Sequence, residues 1–253
     1  MWSPRGTRSG PTWQRPHRDA VYDVLVLGGG PAGCGSALAL RRHAPELRVG
    51  LVTEGEGPGR KVGESLAPVA GRLLKALGSW ERFSSRGHRP SYGTVSAWGS
   101  DQLHARDSIF GTAGHGWRLD RRAFDRDLLQ QCRDEGIEVD EAFSLQEVKG
   151  SATGPTLHDV RGRARSARLV VDASGRHARV GRALGASVQT RDKLIGLVRF
   201  LEDGQGFADP RVLVEATASG WWYSAGLPRG GGVAAYMTDS DLARGQTTPE
   251  GFE

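Results

Sequence analysis

The stretch Val21-Tyr22-Asp23-Val24-Leu25-Val26-Leu27-Gly28-Gly29-Gly30-Pro31-Ala32-Gly33 opens as an apolar run and closes as a cluster of glycines. An apolar run this short that meets glycines reads as a buried parallel strand. The residues from Pro31 to His43 are rich in Ala and Leu and read as the helix that follows. Gly28-Gly29-Gly30-Pro31-Ala32-Gly33 fits the pattern G-x-G-x-x-G between that strand and that helix. In this pattern the first glycine permits a tight turn, the middle one lets the backbone approach a pyrophosphate, and the last lets helix and strand pack closely. The free N–H groups and dipole at the helix start favour the phosphate charge. Arg48 to Thr53 reads as a second strand, completing a β-α-β unit. Glu54 follows it about 20 residues after the glycines, where a carboxylate can accept ribose hydroxyls. A purely structural glycine turn is the competing reading.

Working outward, Pro68 to Leu77 carries helical spacing at Val69, Leu73, Leu74 and Leu77. Tyr92 to Phe110 reads as short strands and turns. Asp120 to Glu135 is the best helix, with Asp120 as N-cap, Phe124, Leu128 and Leu129 as its apolar stripe, and Gly136 as its stop. Strands are expected at 137–142, 144–149, 156–160 and 168–173, and again at 194–201, 211–216 and 233–237.

The 253 residues carry a net charge of +5, with 38% hydrophobic and 25% charged residues, so a packed core is expected. The arginines are scattered among acids, as in Arg121-Arg122-Ala123-Phe124-Asp125-Arg126-Asp127, and form no basic stripe with interleaved aromatics. Nucleic acid is therefore not an expected partner. No apolar run is long enough to span a bilayer, and residues 1–19 read as a disordered basic tail. Cys34 and Cys132 lie far apart and suggest neither a disulfide framework nor a metal site, which fits the cytoplasm.

Three segments carry a family resemblance. Lys61-Val62-Gly63-Glu64-Ser65-Leu66-Ala67-Pro68, Gly116-Trp117-Arg118-Leu119-Asp120-Arg121-Arg122-Ala123-Phe124-Asp125 and Ala167-Arg168-Leu169-Val170-Val171-Asp172-Ala173-Ser174-Gly175 occur in that order. Together they resemble the flavin-dependent halogenases and aromatic monooxygenases of the p-hydroxybenzoate hydroxylase fold. The resemblance implies an α/β fold: a Rossmann-like FAD-binding domain over 20–185, with a β insertion at about 91–118, and a substrate-binding β-sheet layer over 186–253. It implies FAD as cofactor, held by Gly28, Gly29, Gly30, Pro31, Ala32 and Gly33, with ribose contact at Glu54. It also implies a phosphate contact at Arg122 and a flavin contact at Asp172. For Arg122 the competing reading is a helix-surface charge, and for Asp172 a helix cap.

Ser91-Tyr92-Gly93-Thr94-Val95-Ser96-Ala97-Trp98-Gly99-Ser100, followed by Gly114-His115-Gly116-Trp117, resembles flavoproteins that mature quinone cofactors in other enzymes. That implies an aromatic substrate, a small molecule or a protein-borne tryptophan, with a flavin reductase or NAD(P)H as electron source. Halogenases need a lysine near the flavin, which falls at about Gly93 here, and no lysine occurs between Lys75 and Lys149. Their W-x-W-x-I-P signature falls on Tyr223-Ser224-Ala225-Gly226-Leu227-Pro228, without either tryptophan. Hydroxylation is therefore expected, with halogenation as its rival.

His115 is a candidate proton-transfer residue, Trp221 or Trp222 a candidate pocket wall, and Glu64 reads as a helix-start acid. The family's third flavin motif, a Gly-Asp pair, does not occur after Asp172, so the chain reads as C-terminally truncated with an incomplete flavin site. Two further rivals are an isoprenoid-type flavin reductase, whose cysteine is missing from Lys61–Pro68, and a flavin-free remnant that binds a partner protein.

Overall fold

The computed structural model describes residues 22–55, 57, 59–202 and 207–243, so the expected basic tail lies outside the described residues. Its strands are β1 (Tyr22–Leu27), β2 (Val49–Val52), β3 (Ser65–Leu66), β4 (Arg89–Ser91), β5 (Gly93–Ala97), β6 (His104–Asp107), β7 (Gly116–Arg118), β8 (Glu138–Asp140), β9 (Leu145–Lys149), β10 (Thr156–Asp159), β11 (Ala164–Asp172), β12 (Leu194–Leu201), β13 (Val212–Thr217), β14 (Gly220–Gly226) and β15 (Gly232–Asp239). The helices are α1 (Pro31–His43), α2 (Ala70–Ala76), α3 (Trp80–Ser84), α4 (Arg121–Asp134) and α5 (Arg179–Ala183).

A six-stranded sheet in the order β8-β2-β1-β11-β10-β9 forms the first layer. Its strands β8, β2, β1 and β11 run parallel, and β10 and β9 continue it antiparallel. Parallel strands buried on both faces need continuous apolar residues, and the apolar run of β1 supplies them. On one face α1 and α4 pack with Val26, Leu38, Leu51, Leu128 and Cys132. On the other, Leu25, Phe143, Leu157 and Val180 form a second cluster.

Helix α1 starts with Pro at its first turn, where the missing N–H is no loss, and ends with Arg41, Arg42 and His43 at the negative end of its dipole. Helix α4 starts where Asp120 accepts the Ala123 N–H at 3.0 Å, and it ends before Gly136, whose φ is +78°. Cys34 and Cys132, remote in sequence, meet between these helices, where the Cys132 thiol lies 3.8 Å from the Cys34 carbonyl. The Cys132 neighbour and burial push the Cys34 thiol up, which keeps it protonated.

The expected apolar stripe of the Pro68–Leu77 helix is corrected. Helix α2 spans Ala70–Ala76 and buries Gly71 and Leu74, whereas Val69 and Leu73 face solvent. The helix approaches the core through Gly71, where a Cβ would lie 2.9 Å from the Trp117 ring, so a bulky residue cannot serve there. Helix α3, unexpected from sequence, places Trp80 and Phe83 against Trp117. Strand β11 begins earlier than expected because its first half pairs antiparallel with β10 before the second half pairs parallel with β1.

The second layer is a six-stranded sheet in the order β12-β15-β14-β13-β5-β6. Strands β5 and β6, from the expected insertion, therefore join strands from the end of the chain, with β5 parallel to β13. A small sheet, β3-β7-β4, stands beside both. Ser65 Oγ on β3 lies 2.6 Å from Tyr223 Oη on β14, and Arg89 on β4 donates to the carbonyls of Phe207 and Ala208. Among the described residues, no helix is long and apolar enough to cross a membrane, and no group of three or more His, Cys, Asp and Glu could hold a metal ion.

Candidate functional site

Parallel β1, β2 and β11 end together, and all the expected nucleotide contacts except Arg122 sit at or beyond their C-terminal ends. The Gly28 N–H donates to Val52 O at 2.8 Å and the Ala173 N–H to Leu27 O at 2.9 Å, which locks the three strand ends together. Gly28 adopts φ +123°, and a Cβ there would lie 2.3 Å from Ala173 O. A Cβ on Gly33 would lie 1.8 Å from Gly28 O, so the helix touches the turn backbone directly. Gly30 is different. Its φ of −81° suits any residue, and nothing lies within 4 Å of the position its Cβ would take.

Gly30 is the N-cap of α1, has no side chain to cap it, and is followed by no acidic residue in the first turn. The first-turn N–H groups of Ala32 and Gly33 are thus left for an anion. A cleft of about 400 Å3 opens beside Gly29 and Gly30 and is bounded by Thr53, Lys61, Arg126 and Arg133. These residues fit a pyrophosphate through backbone donors, a gap where a side chain would intrude, and the cations Lys61, Arg126 and Arg133. Asp125 and Glu141 also line the cleft and pair with Lys61 and Arg133.

Glu54 lies beyond the end of β2 with its side chain half exposed. It accepts hydrogen bonds from Arg179 and from Ser144 Oγ. The Arg179 guanidinium, aided by Ser144, holds its carboxyl below the usual value of 4.5 despite some desolvation. Glu54 opens onto a broad groove of about 710 Å3 lined by Leu145, Val148, His177, Arg179 and Arg182. A ribose beside Glu54 would share the carboxylate with Arg179. Arg179 was not singled out in the sequence, because one arginine among 34 basic residues carries no local signal.

Asp172 caps a helix. Its carboxylate accepts the N–H groups of Val180 and Gly181 at 2.9 Å each, and also the Ser174 hydroxyl. Desolvation pushes its carboxyl up, but the bonds from Ser174, Gly181 and Val180 together hold it below the ordinary value. Arg122 donates to the carbonyls of Gly57 and Gly59 and so clamps the loop after β2.

Arg122 also borders a second cleft, of about 420 Å3, between the first layer and the second sheet. Leu119, Phe200, Leu227 and Pro228 form its apolar walls, and Lys61 and Glu64 lie on its polar side. Lys61 lines both this cleft and the glycine-loop cleft, with its amine 3.0 Å from Asp125. Arg121 holds Asp125 from the next turn of α4 and donates to the Val62 and Gly63 carbonyls. Lys61, Arg121 and Asp125 were present in the motif segments, but sequence spacing does not reveal that they meet.

Glu64 is corrected: α2 begins six residues later, and Glu64 is buried, 4% exposed, just before β3. His115 stands apart from these clefts. Its Nδ1 lies 2.8 Å from Gly116 O, and its ring contacts Tyr92 and Trp117. Trp221 lies beside Trp98 and Trp222 stacks on Tyr236, and neither lines the clefts described.

The FAD binding domain family matches residues 21–237. The FAD-dependent oxidoreductase LodB of Marinomonas mediterranea is 31% identical over 234 residues, covering 88% of this chain and 62% of LodB. The structure of the myxobacterial chondrochloren halogenase CndH superposes with a TM-score of 0.80 at 24% identity, over 91% of this chain and 55% of that one. The peptidyl tryptophan dihydroxylase QhpG, essential for tryptophylquinone cofactor biogenesis, superposes with a TM-score of 0.66 at 25% identity, over 87% of this chain and 46% of QhpG. The chain thus spans roughly half to three-fifths of the length of these relatives. By its glycine loop, its strand-end clefts and the match over most of its length, the chain belongs to the FAD binding domain family.

Proposed function

We propose that this flavoprotein hydroxylates an electron-rich aromatic ring, on a small molecule or on a protein-borne tryptophan. FAD would run from the Glu54 groove, across Gly28–Gly33, toward the cleft beside Lys61. The observation that carries this reading is the ring-sized cleft of about 420 Å3, with Leu119, Phe200, Leu227 and Pro228 on its apolar side, which meets the glycine-loop cleft at Lys61. When bound, reduced FAD supplies oxygen activation, and NAD(P)H or a flavin reductase supplies its electrons. One oxygen atom of O2 replaces a ring hydrogen as hydroxyl, the other leaves as water, and two electrons are consumed.

The chain's own residues bind and orient. The N–H groups of Ala32 and Gly33 hold the phosphates, with Lys61 nearby. Leu119, Phe200, Leu227 and Pro228 hold the ring and exclude water. Arg122 and Arg121 fix the loop that carries Lys61. No step is assigned to His115, which lies away from the cleft.

Halogenation is the second reading, and the amine of Lys61 on the cleft wall favours it. Against it, Asp125 engages that amine, and no other lysine occurs between Lys75 and Lys149. The test supplies the protein with FAD, a flavin reductase, NADH, oxygen and an indole substrate, with and without chloride or bromide. The proposal expects a product heavier by one oxygen atom in both conditions. A halogenated product would establish the second reading instead.

A further inference from the structure

A carboxylate withdrawn from water needs donors, or it raises the energy of the fold. Glu64 is 4% exposed, and its Oε1 is buried without a hydrogen-bond partner. Its backbone is fixed, since its carbonyl accepts the Leu119 N–H at 2.7 Å. A cation that acts on it is Arg118, itself 2% exposed. Arg118 spends its Nη1 on Ser65 Oγ at 2.5 Å and forms no ion pair with Glu64 among the described residues. Ser65 in turn holds Tyr223, and Arg118 Nη2 is itself buried without a hydrogen-bond partner, so neither polar neighbour bonds the Glu64 carboxylate. Glu64 also lines the cleft, whose apolar walls are Leu119, Phe200, Leu227 and Pro228 and whose cations are engaged elsewhere: Arg60 with Glu202, Lys61 and Arg121 with Asp125, Arg122 with the Gly57 and Gly59 carbonyls, and Arg229 with Asp120.

An acceptor without donors, set on the wall of a ring-sized cleft with one apolar side, matches a flat ligand equipped with one N–H. We infer that Glu64 accepts the ring N–H of an aromatic ligand in this cleft and so fixes which edge of the ring faces it. The inference rests on the reading that the cleft holds a ring. Two rings could bring that N–H: an indole-like substrate, through its pyrrole nitrogen, or the flavin itself, through N3. Glu64 is a binding residue in either case and takes no part in bond making.

The test blocks the N–H chemically. The FAD-loaded protein is titrated with indole and 1-methylindole, following the flavin absorbance, and the flavin-free protein with FAD and 3-methyl-FAD. Both series are repeated on Glu64→Gln, which keeps size and removes charge. A hydrogen bond to a charged group predicts that methylation weakens one pair by about tenfold in the parent and by only about threefold in Glu64→Gln, whose carbonyl still accepts the N–H but carries no charge. A coupling in the indole pair assigns the N–H to the substrate, and one in the flavin pair assigns it to the cofactor. Equal methylation effects in both proteins overturn the inference. If Glu64→Gln fails to fold, the parent alone decides, because the absence of a methylation penalty in both pairs contradicts it. A parent that binds no FAD defeats the reading of the site as well, and the inference falls with it.

Discussion

The two six-stranded sheets are built under different constraints. In the first, β1 buries five of its six residues, and two apolar clusters cover opposite faces of the sheet. In the second, β12 buries none of its eight residues, and Leu194, Val198 and Leu213 remain substantially exposed. The first sheet has helices on its faces and a backbone turn at its edge that admits only glycine. The second is a platform whose buried side chains, Ala225, Val233, Ala235 and Tyr236, concentrate on β14 and β15. Stability should therefore be concentrated in the first sheet, and the ligand clefts lie at its strand ends and along its border with the second.

Substitutions can break this comparison. The largest effect is expected for Gly33→Ala, whose Cβ would overlap Gly28 O at 1.8 Å. The overlapping atoms are Gly28 backbone, with no flexible side chain to yield, so a cost above about 3 kcal/mol follows, or failure to fold. Leu25→Ala, at a fully buried site, should cost about 3 kcal/mol. Val198→Ala on the second sheet, 38% exposed, should cost less than about 1 kcal/mol. Urea unfolding of the three variants checks the order, and a Val198→Ala loss equal to that of Leu25→Ala would contradict it.

A smaller effect concerns pH. His88 touches Phe83 and Phe124, and its Nδ1 accepts the Asp120 N–H at 3.3 Å at the start of α4. Burial pushes its pKa below 6.5, aided by Arg86, while Asp120 and Asp127 oppose the shift. The folded state then binds its proton less readily than the unfolded chain. The resulting stability is present above pH 6.5 and is lost as pH falls toward the folded value. Unfolding measured between pH 7.5 and 5 should show that loss in the parent and a reduced loss in His88→Gln. Identical pH profiles would show that His88 is not the group responsible.

The same contrast explains what could be read from the sequence. The glycine loop, the Asp120 cap and the stop at Gly136 are local signals, each set by a few neighbouring residues, and they were legible. Strand β12 was legible as well, because its apolar run is interrupted only by Gly196 and Arg199. The pairing of β5 with β13 was not, since no local pattern tells a strand at residue 94 that its neighbour is residue 212. Nor was the buried face of α2, because a close approach at Gly71 rather than apolar periodicity decides it. The place of Glu54 just beyond β2 was legible by its spacing, but its partner Arg179 comes from a segment 125 residues away. The polar side of the 420 Å3 cleft, Lys61 and Glu64, is assembled by tertiary contacts and carries no pattern of its own.

In the proposed function the flavin pyrophosphate would lie over Gly30, where the loop leaves space instead of filling it. Gly30→Glu tests this directly, because the position has ordinary φ and nothing within 4 Å, so the fold should tolerate the side chain. FAD is titrated into the parent and the variant, following flavin fluorescence, with thermal unfolding of each recorded in its absence. The expected result is an unchanged melting temperature and FAD binding weakened by about a hundredfold, from displaced volume and charge repulsion at the helix start. A variant that melts like the parent and binds FAD equally well would place the pyrophosphate elsewhere and contradict the site described for this loop.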